Sequence, residues 1–143
     1  MDLDDIERAK LALQSIFALS AAGKLIRDYL KKGEPVPPDE LEETLKGREI
    51  SASAAKHFSN IIDETLLEHL STRIRKELER LRDSFHPNSG VSSPDRQRIA
   101  DEVDQIICRE LIFIKKFNNK TLPHHEDYDF YELAERHNCQ SVL

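Results

Sequence analysis

The chain has no tryptophan, four glycines, six prolines and two cysteines in 143 residues, and aromatic side chains make up 6% of it. Each shortage excludes something. Ten glycine and proline residues in 143, where average composition gives roughly 12%, argue against a collagen-like chain, a low-complexity tail or a β-sandwich with its many tight turns. Two cysteines cannot build a disulfide framework. Cys108, inside an apolar helical run, reads as a small buried hydrophobe, and a reduced, cytoplasmic setting is the expectation. A long hydrophobic run is missing too. The least charged stretch, residues 11–23, contains Gln14, Ser15 and Ser20 and falls short of the roughly 20 apolar residues that cross a bilayer, so no membrane is expected. Asp2, Asp4, Asp5 and Glu7 stand where a secretory leader would be positive. Basic excess is the last absence: 27 acidic residues against 21 basic give a net charge of −6 and a pI near 5.5. That excludes wrapping of duplex DNA, which asks for a basic face, and suits an acidic binder of a basic partner.

What the chain does have is charge, 34% of its residues, and helical periodicity. Ala9, Ala12, Ile16, Leu19, Gly23, Ile26 and Leu30 recur in steps of three and four, with Leu13, Phe17 and Tyr29 widening the stripe. Small residues from Ala18 to Gly23 predict a close helix approach. Lys31, Lys32 and Gly33 form a stop. Prolines 35, 37 and 38 make a connector to a short helix over 39–46. No glycine or proline lies between Arg48 and His86, so one helix is predicted over 51–85, with Phe58, Ile62, Leu67, Leu70, Ile74, Leu78, Leu81 and Phe85 on its buried face. Ser93-Pro94-Asp95 starts a helix over 94–117. Its second half, with Ile107, Leu111, Phe113, Ile114 and Phe117, is apolar nearly all round and is expected to bury against several neighbours or a second subunit. A last helix is predicted over 127–138. The fold class is therefore all-α: a single helical domain, 1–143, forming an up-down bundle of four to five helices that dimerises through its long helices.

The stretch Arg80-Leu81-Arg82-Asp83-Ser84-Phe85-His86-Pro87-Asn88 lies where the long helix ends and a polar turn begins. Placed there, an Arg followed by a His after five residues resembles the hallmark of the HEPN helical domains. The resemblance covers the motif and its two flanking helices, residues 51–117. It implies a homodimer with the motif paired across the interface. In ribonuclease members it implies RNA cleavage in a toxin or defence setting, without metal or cofactor. Arg80, or Arg82, would clamp phosphate and His86 would transfer the proton, with Asp83 as a neighbour. One departure stands out. The family commonly puts Asn or Asp straight after the Arg, whereas Leu81 follows Arg80; Arg82-Asp83 has that chemistry, but with three residues before His86.

The other reading is a non-catalytic helical interaction protein, an adaptor or an acidic inhibitor of a basic partner. His124, His125, Glu126, Asp127 and Asp129, with His137 and Cys139 downstream, contain metal-ligand types, but neighbours on a loop do not converge and no His pair at i, i+4 accompanies them, so no metal is assigned. His57 and His69, beside apolar residues, read as hydrogen-bonded structural histidines. Ser141-Val142-Leu143 matches the pattern of a terminal peptide captured as an added strand. No phosphate loop, nucleophile elbow or zinc-type cysteine spacing is present.

Overall fold

The computed structural model of the chain describes residues 3–85, 93–118 and 120–143. Among them run α1 (Leu3–Lys32), α2 (Pro38–Lys46), α3 (Ala52–Ile61), α4 (Glu64–Ser84), α5 (Ser93–Phe117), a two-stranded hairpin of β1 (His124–His125) and β2 (Tyr128–Asp129), α6 (Phe130–Arg136) and a 3-10 turn, Gln140–Val142. Among the described residues the fold is all-α apart from that hairpin.

α1 is the central element, and α2 to α6 all pack on it. Its heptad seam is what the core is built on: Ala9, Ala12, Ile16, Leu19 and Ile26 are almost wholly buried, with Leu13 and Ala22 beside them. The small side chains serve close approach, as expected. At Gly23 an added Cβ would lie 2.7 Å from Val103 Cγ1 of α5, so only glycine lets the two helices meet here. Gly47, after α2, combines a φ of +71° with backbone and side-chain atoms of Gln14 and Ala18 within 3.2 Å of where its Cβ would be. α1 is long and apolar enough to cross a bilayer by composition, but 61% of that window is buried inside the molecule, the condition of a core helix.

The helix expected over 51–85 is two helices. Ser51 Oγ accepts the Ala54 N–H at 3.1 Å and opens α3. The chain turns extended at Ile62, and Asp63 Oδ1 accepts the Thr65 N–H at 2.7 Å to open α4. An aspartate cap breaks a helix without glycine or proline, because its carboxylate replaces the missing acceptor for a first-turn N–H. The two apolar stripes hold on either side of the break: Phe58 and Ile62, then Leu67, Leu70, Ile74 and Leu81, are all buried. The last helix is likewise shorter than 127–138. Asp127 lies in the hairpin turn, Tyr128 and Asp129 in β2, and Asp129 Oδ1 caps α6 through the Tyr131 N–H at 2.9 Å.

The cysteine expectation is overturned. Cys108 of α5 is only half-buried and is disulfide-bonded to Cys139, their Cα atoms 5.2 Å apart. Asn138, in a left-handed conformation (φ 57°), closes α6 with the Cys139 N–H donating to Ala134 O at 2.8 Å. That turn lays Cys139 on α5. The cysteines therefore lend no support to a reducing compartment. The apolar second half of α5 divides as well: Ile107, Leu111 and Ile114 are in the core, while Ile112, Phe113 and Phe117 stay 37%, 39% and 49% exposed.

Candidate functional site

The arginines of the HEPN-like stretch stand in the last two turns of α4. Arg80 is already committed: its guanidinium donates to Glu77 and, at 2.9 Å, to Glu102 of α5. Arg82 is freer, 3.4 Å from Glu42 and about half exposed. With Asp83 and Phe85 it lines a cleft of about 360 Å³ whose other walls come from α2 and include Asp39 and Glu42. His86 lies outside the described residues. A phosphate at Arg82 would meet three carboxylates in this cleft, so its field opposes an anion.

A cleft of about 660 Å³ opens between α1, α2, the hairpin and α6. It gathers the histidine and acidic residues of the 124–129 stretch with Glu132 and Arg136 of the following helix, and adds Glu43 and Arg48 from far away in sequence. Local structure explains each position. The tight turn Glu126-Asp127 presents Asp127, which accepts from Arg48 at 3.0 Å and from the Ser51 N–H at 3.0 Å. The Ser51 backbone, and then Arg48, hold the Asp127 carboxyl below its ordinary range. Arg48 also donates to the Asp127 carbonyl and lies over the Phe17 ring. Arg136 donates to Glu132 at 3.1 Å and inward to Ser20 Oγ at 3.0 Å.

Of the imidazoles here His125 and His57 are engaged, while His124 stands exposed on the hairpin. His125 Nδ1 accepts the Asp127 N–H at 3.1 Å, which puts its proton on Nε2, 3.4 Å from Ser53 Oγ. Burial raises the Tyr128 hydroxyl pKa, so the phenol stays protonated and donates to His57 Nδ1 at 2.5 Å. Burial, with His125 and His124 nearby, lowers the His57 pKa and keeps it a neutral acceptor. His69 sits exposed on α4 beside Arg73. Among the described residues no three His, Cys, Asp or Glu side chains converge to hold a metal ion. The open charges at the cleft are Glu126, in the turn, and Glu43, which is loosely held by Lys46 at 3.4 Å. Both are exposed.

Behind Arg136 lies a hydroxyl–imidazole–carboxylate chain that sequence reading did not find. Ser20 Oγ is 2.6 Å from His137 Nε2, and His137 Nδ1 is 2.7 Å from Asp104 Oδ1. Arg27 holds the other Asp104 oxygen. Burial alone would raise the Asp104 pKa, but the hydrogen bonds from His137 and Arg27 outweigh it and the pKa is lowered. The order of groups is that of a nucleophile relay. However, Ser20 is 0% exposed in the middle of α1 and its hydroxyl is already covered by Arg136, so no substrate carbonyl can reach it. What the chain does is staple. It ties the end of α6 to α1 and α5, beside the disulfide. Its members are 117 and 33 residues apart, and no spacing pattern announces them.

One buried group is poorly served. Glu110 of α5 is 0% exposed, both its oxygens lack a hydrogen bond, and its nearest cation is Arg73 at 3.4 Å. The terminal Ser141-Val142-Leu143 is no free strand: Val142 is buried in the 3-10 turn, and its carbonyl accepts from Lys115 at 3.1 Å. No protein-family model, curated protein or solved structure matches this chain.

Proposed function

We propose that the protein is a non-catalytic helical binding module, an adaptor or an acidic inhibitor, that receives a basic segment of a protein partner in the 660 Å³ cleft. One observation carries this reading. The two arginines of that cleft are consumed by Asp127, Glu132 and Ser20, which leaves Glu43 and Glu126 as its open charges. An arginine or lysine entering there gains the Glu126 carboxylate, unpaired among the described residues, and competes at Glu43 only with the loose, exposed contact to Lys46. Titration with a fluorescent peptide rich in arginine and lysine tests it. Binding that weakens with salt, and by about tenfold or more in Glu43→Lys/Glu126→Lys, supports the reading. No binding, or binding indifferent to both charges, defeats it.

A second reading, a HEPN-like protein acting on RNA as a homodimer through the long helices, draws support from Arg82 and Asp83 lining a cleft at the end of α4, directly before His86. In that reading Arg82, not the doubly paired Arg80, is the phosphate clamp. It expects RNA cleavage in the presence of a chelator, abolished in His86→Ala with the helical fold kept. RNA left intact by the purified protein ends it. The three carboxylates around Arg82 are why the binding reading comes first.

A further inference from the structure

The outward side of α5 carries a second, chemically opposite surface. Arg109, Ile112, Phe113, Lys116 and Phe117 follow at i, i+3, i+4, i+7 and i+8, which puts them on one stripe, and all five are exposed. Beside the stripe is a groove of about 300 Å³ with Ile112 and Val142 as apolar lining, Lys115, Lys116 and Lys120 around it, and no acidic side chain in its walls. Among the described residues Arg109, Lys116 and Lys120 are in no ion pair. Lys116 instead lies over the Phe113 ring at 5.7 Å. Cations in the last turn of a helix answer its dipole, but the dipole does not account for three large apolar side chains left in water among them.

We propose that this face and groove dock an acidic, amphipathic segment of a partner protein, at a site separate from the hairpin cleft. Charge complementarity decides the occupant. In a chain of net charge −6, this is a region where lysine and arginine stand without carboxylates, so an acidic helix with apolar anchors satisfies both halves of the surface. A second copy fits worse. A twofold contact through this stripe would set the cations of one copy against the same cations of the other. A flat lipid surface would leave the groove between α5 and the 3-10 turn unfilled.

The test is fluorescence anisotropy with a labelled helical peptide of about 14 residues carrying Leu at i, i+3, i+4 and i+7 and Glu on its other face. A Lys-for-Glu copy of that peptide serves as control. Expected are saturable binding of the acidic peptide, weakened by salt, and a loss of about tenfold or more in Lys116→Glu/Lys120→Glu and in Phe113→Ser. The Glu43→Lys/Glu126→Lys protein should bind it as well as the unchanged protein does. The substituted side chains are exposed, and circular dichroism checks that helix content is kept. The proposal is overturned if the acidic peptide does not bind or binds the double lysine variant equally. It is also overturned if phosphatidylglycerol vesicles take its place, or if light scattering finds a dimer that Phe117→Glu dissociates.

Discussion

The hairpin cleft and the outward face of α5 are built from the same kinds of side chain and come out opposite. In the cleft the cations are used up internally: Arg48 on Asp127, Arg136 on Glu132 and Ser20. Carboxylates are what remain. On α5 and the turn after it the cations Arg109, Lys116 and Lys120 are left over, with Phe113 and Phe117 bare beside them. Net charge therefore says little about a surface; which charges are already satisfied inside the molecule says more. The two regions also share a wall. The segment from α6 to the 3-10 turn gives Glu132 and Arg136 to the cleft and Ser141 and Val142 to the groove. The disulfide and the Ser20–His137–Asp104 chain hold that segment down.

Removing what holds the wall should have the largest effect, and on both sides at once. The disulfide joins residues 31 apart in sequence, for which loop-closure entropy gives about 3–4 kcal/mol. Cys108→Ser/Cys139→Ser, or reduction of the native protein, should lower stability in urea by roughly that amount and weaken both peptides. His137→Ala should cost about 3 kcal/mol, because it leaves Ser20 and Asp104 without their shared partner. If either variant unfolds like the native protein, the wall is not held as described.

A smaller effect of opposite sign is expected at Glu110. Its carboxylate is buried without hydrogen bonds, whereas Arg73 is exposed enough to be solvated alone. Glu110→Met should therefore raise stability by about 1 kcal/mol and leave both surfaces unchanged. A clear loss would show that the ion pair outweighs its desolvation. It would also sharpen the contrast with the fully bonded chain at His137.

The smallest effect separates the two surfaces by pH. The folded pKa of His57 lies below its ordinary value of 6.5, so its contribution is present above pH 6.5 and is lost as pH falls through the lower folded value. Protonation removes the acceptor of the Tyr128 hydroxyl. Mild acid should thus loosen the hairpin side before the α5 side. Tyrosine fluorescence against pH, with the step missing in His57→Gln, checks this. A step that persists in the variant belongs to another group.

Much of this scaffold is legible in the chain, for a physical reason. α1 runs over residues 3–32 as its periodicity predicts, and α5 ends at Phe117, because long amphipathic stripes repeat their signal many times over. The break at Ile62-Asp63 depends on one capping carboxylate and leaves both stripes in phase, so periodicity passes through it. The hairpin has two residues per strand, too few for an alternation. The disulfide and the Ser20–His137–Asp104 chain join residues from different helices, and only the packed tertiary structure brings them together. For the candidate site, the composition of the 124–129 stretch offers metal-ligand types, yet by sequence it reads as a solvated polar loop. Its true neighbours, Glu43, Arg48 and Arg136, come from other elements, and Arg80 turned out to be engaged with Glu77 and Glu102.

The most direct test is a crossed titration: the basic and the acidic peptide, each against the native protein, Glu43→Lys/Glu126→Lys and Lys116→Glu/Lys120→Glu. Each variant should lose about tenfold for one peptide and keep the other. Equal losses for both peptides in both variants, or none at all, would contradict two independent binding surfaces.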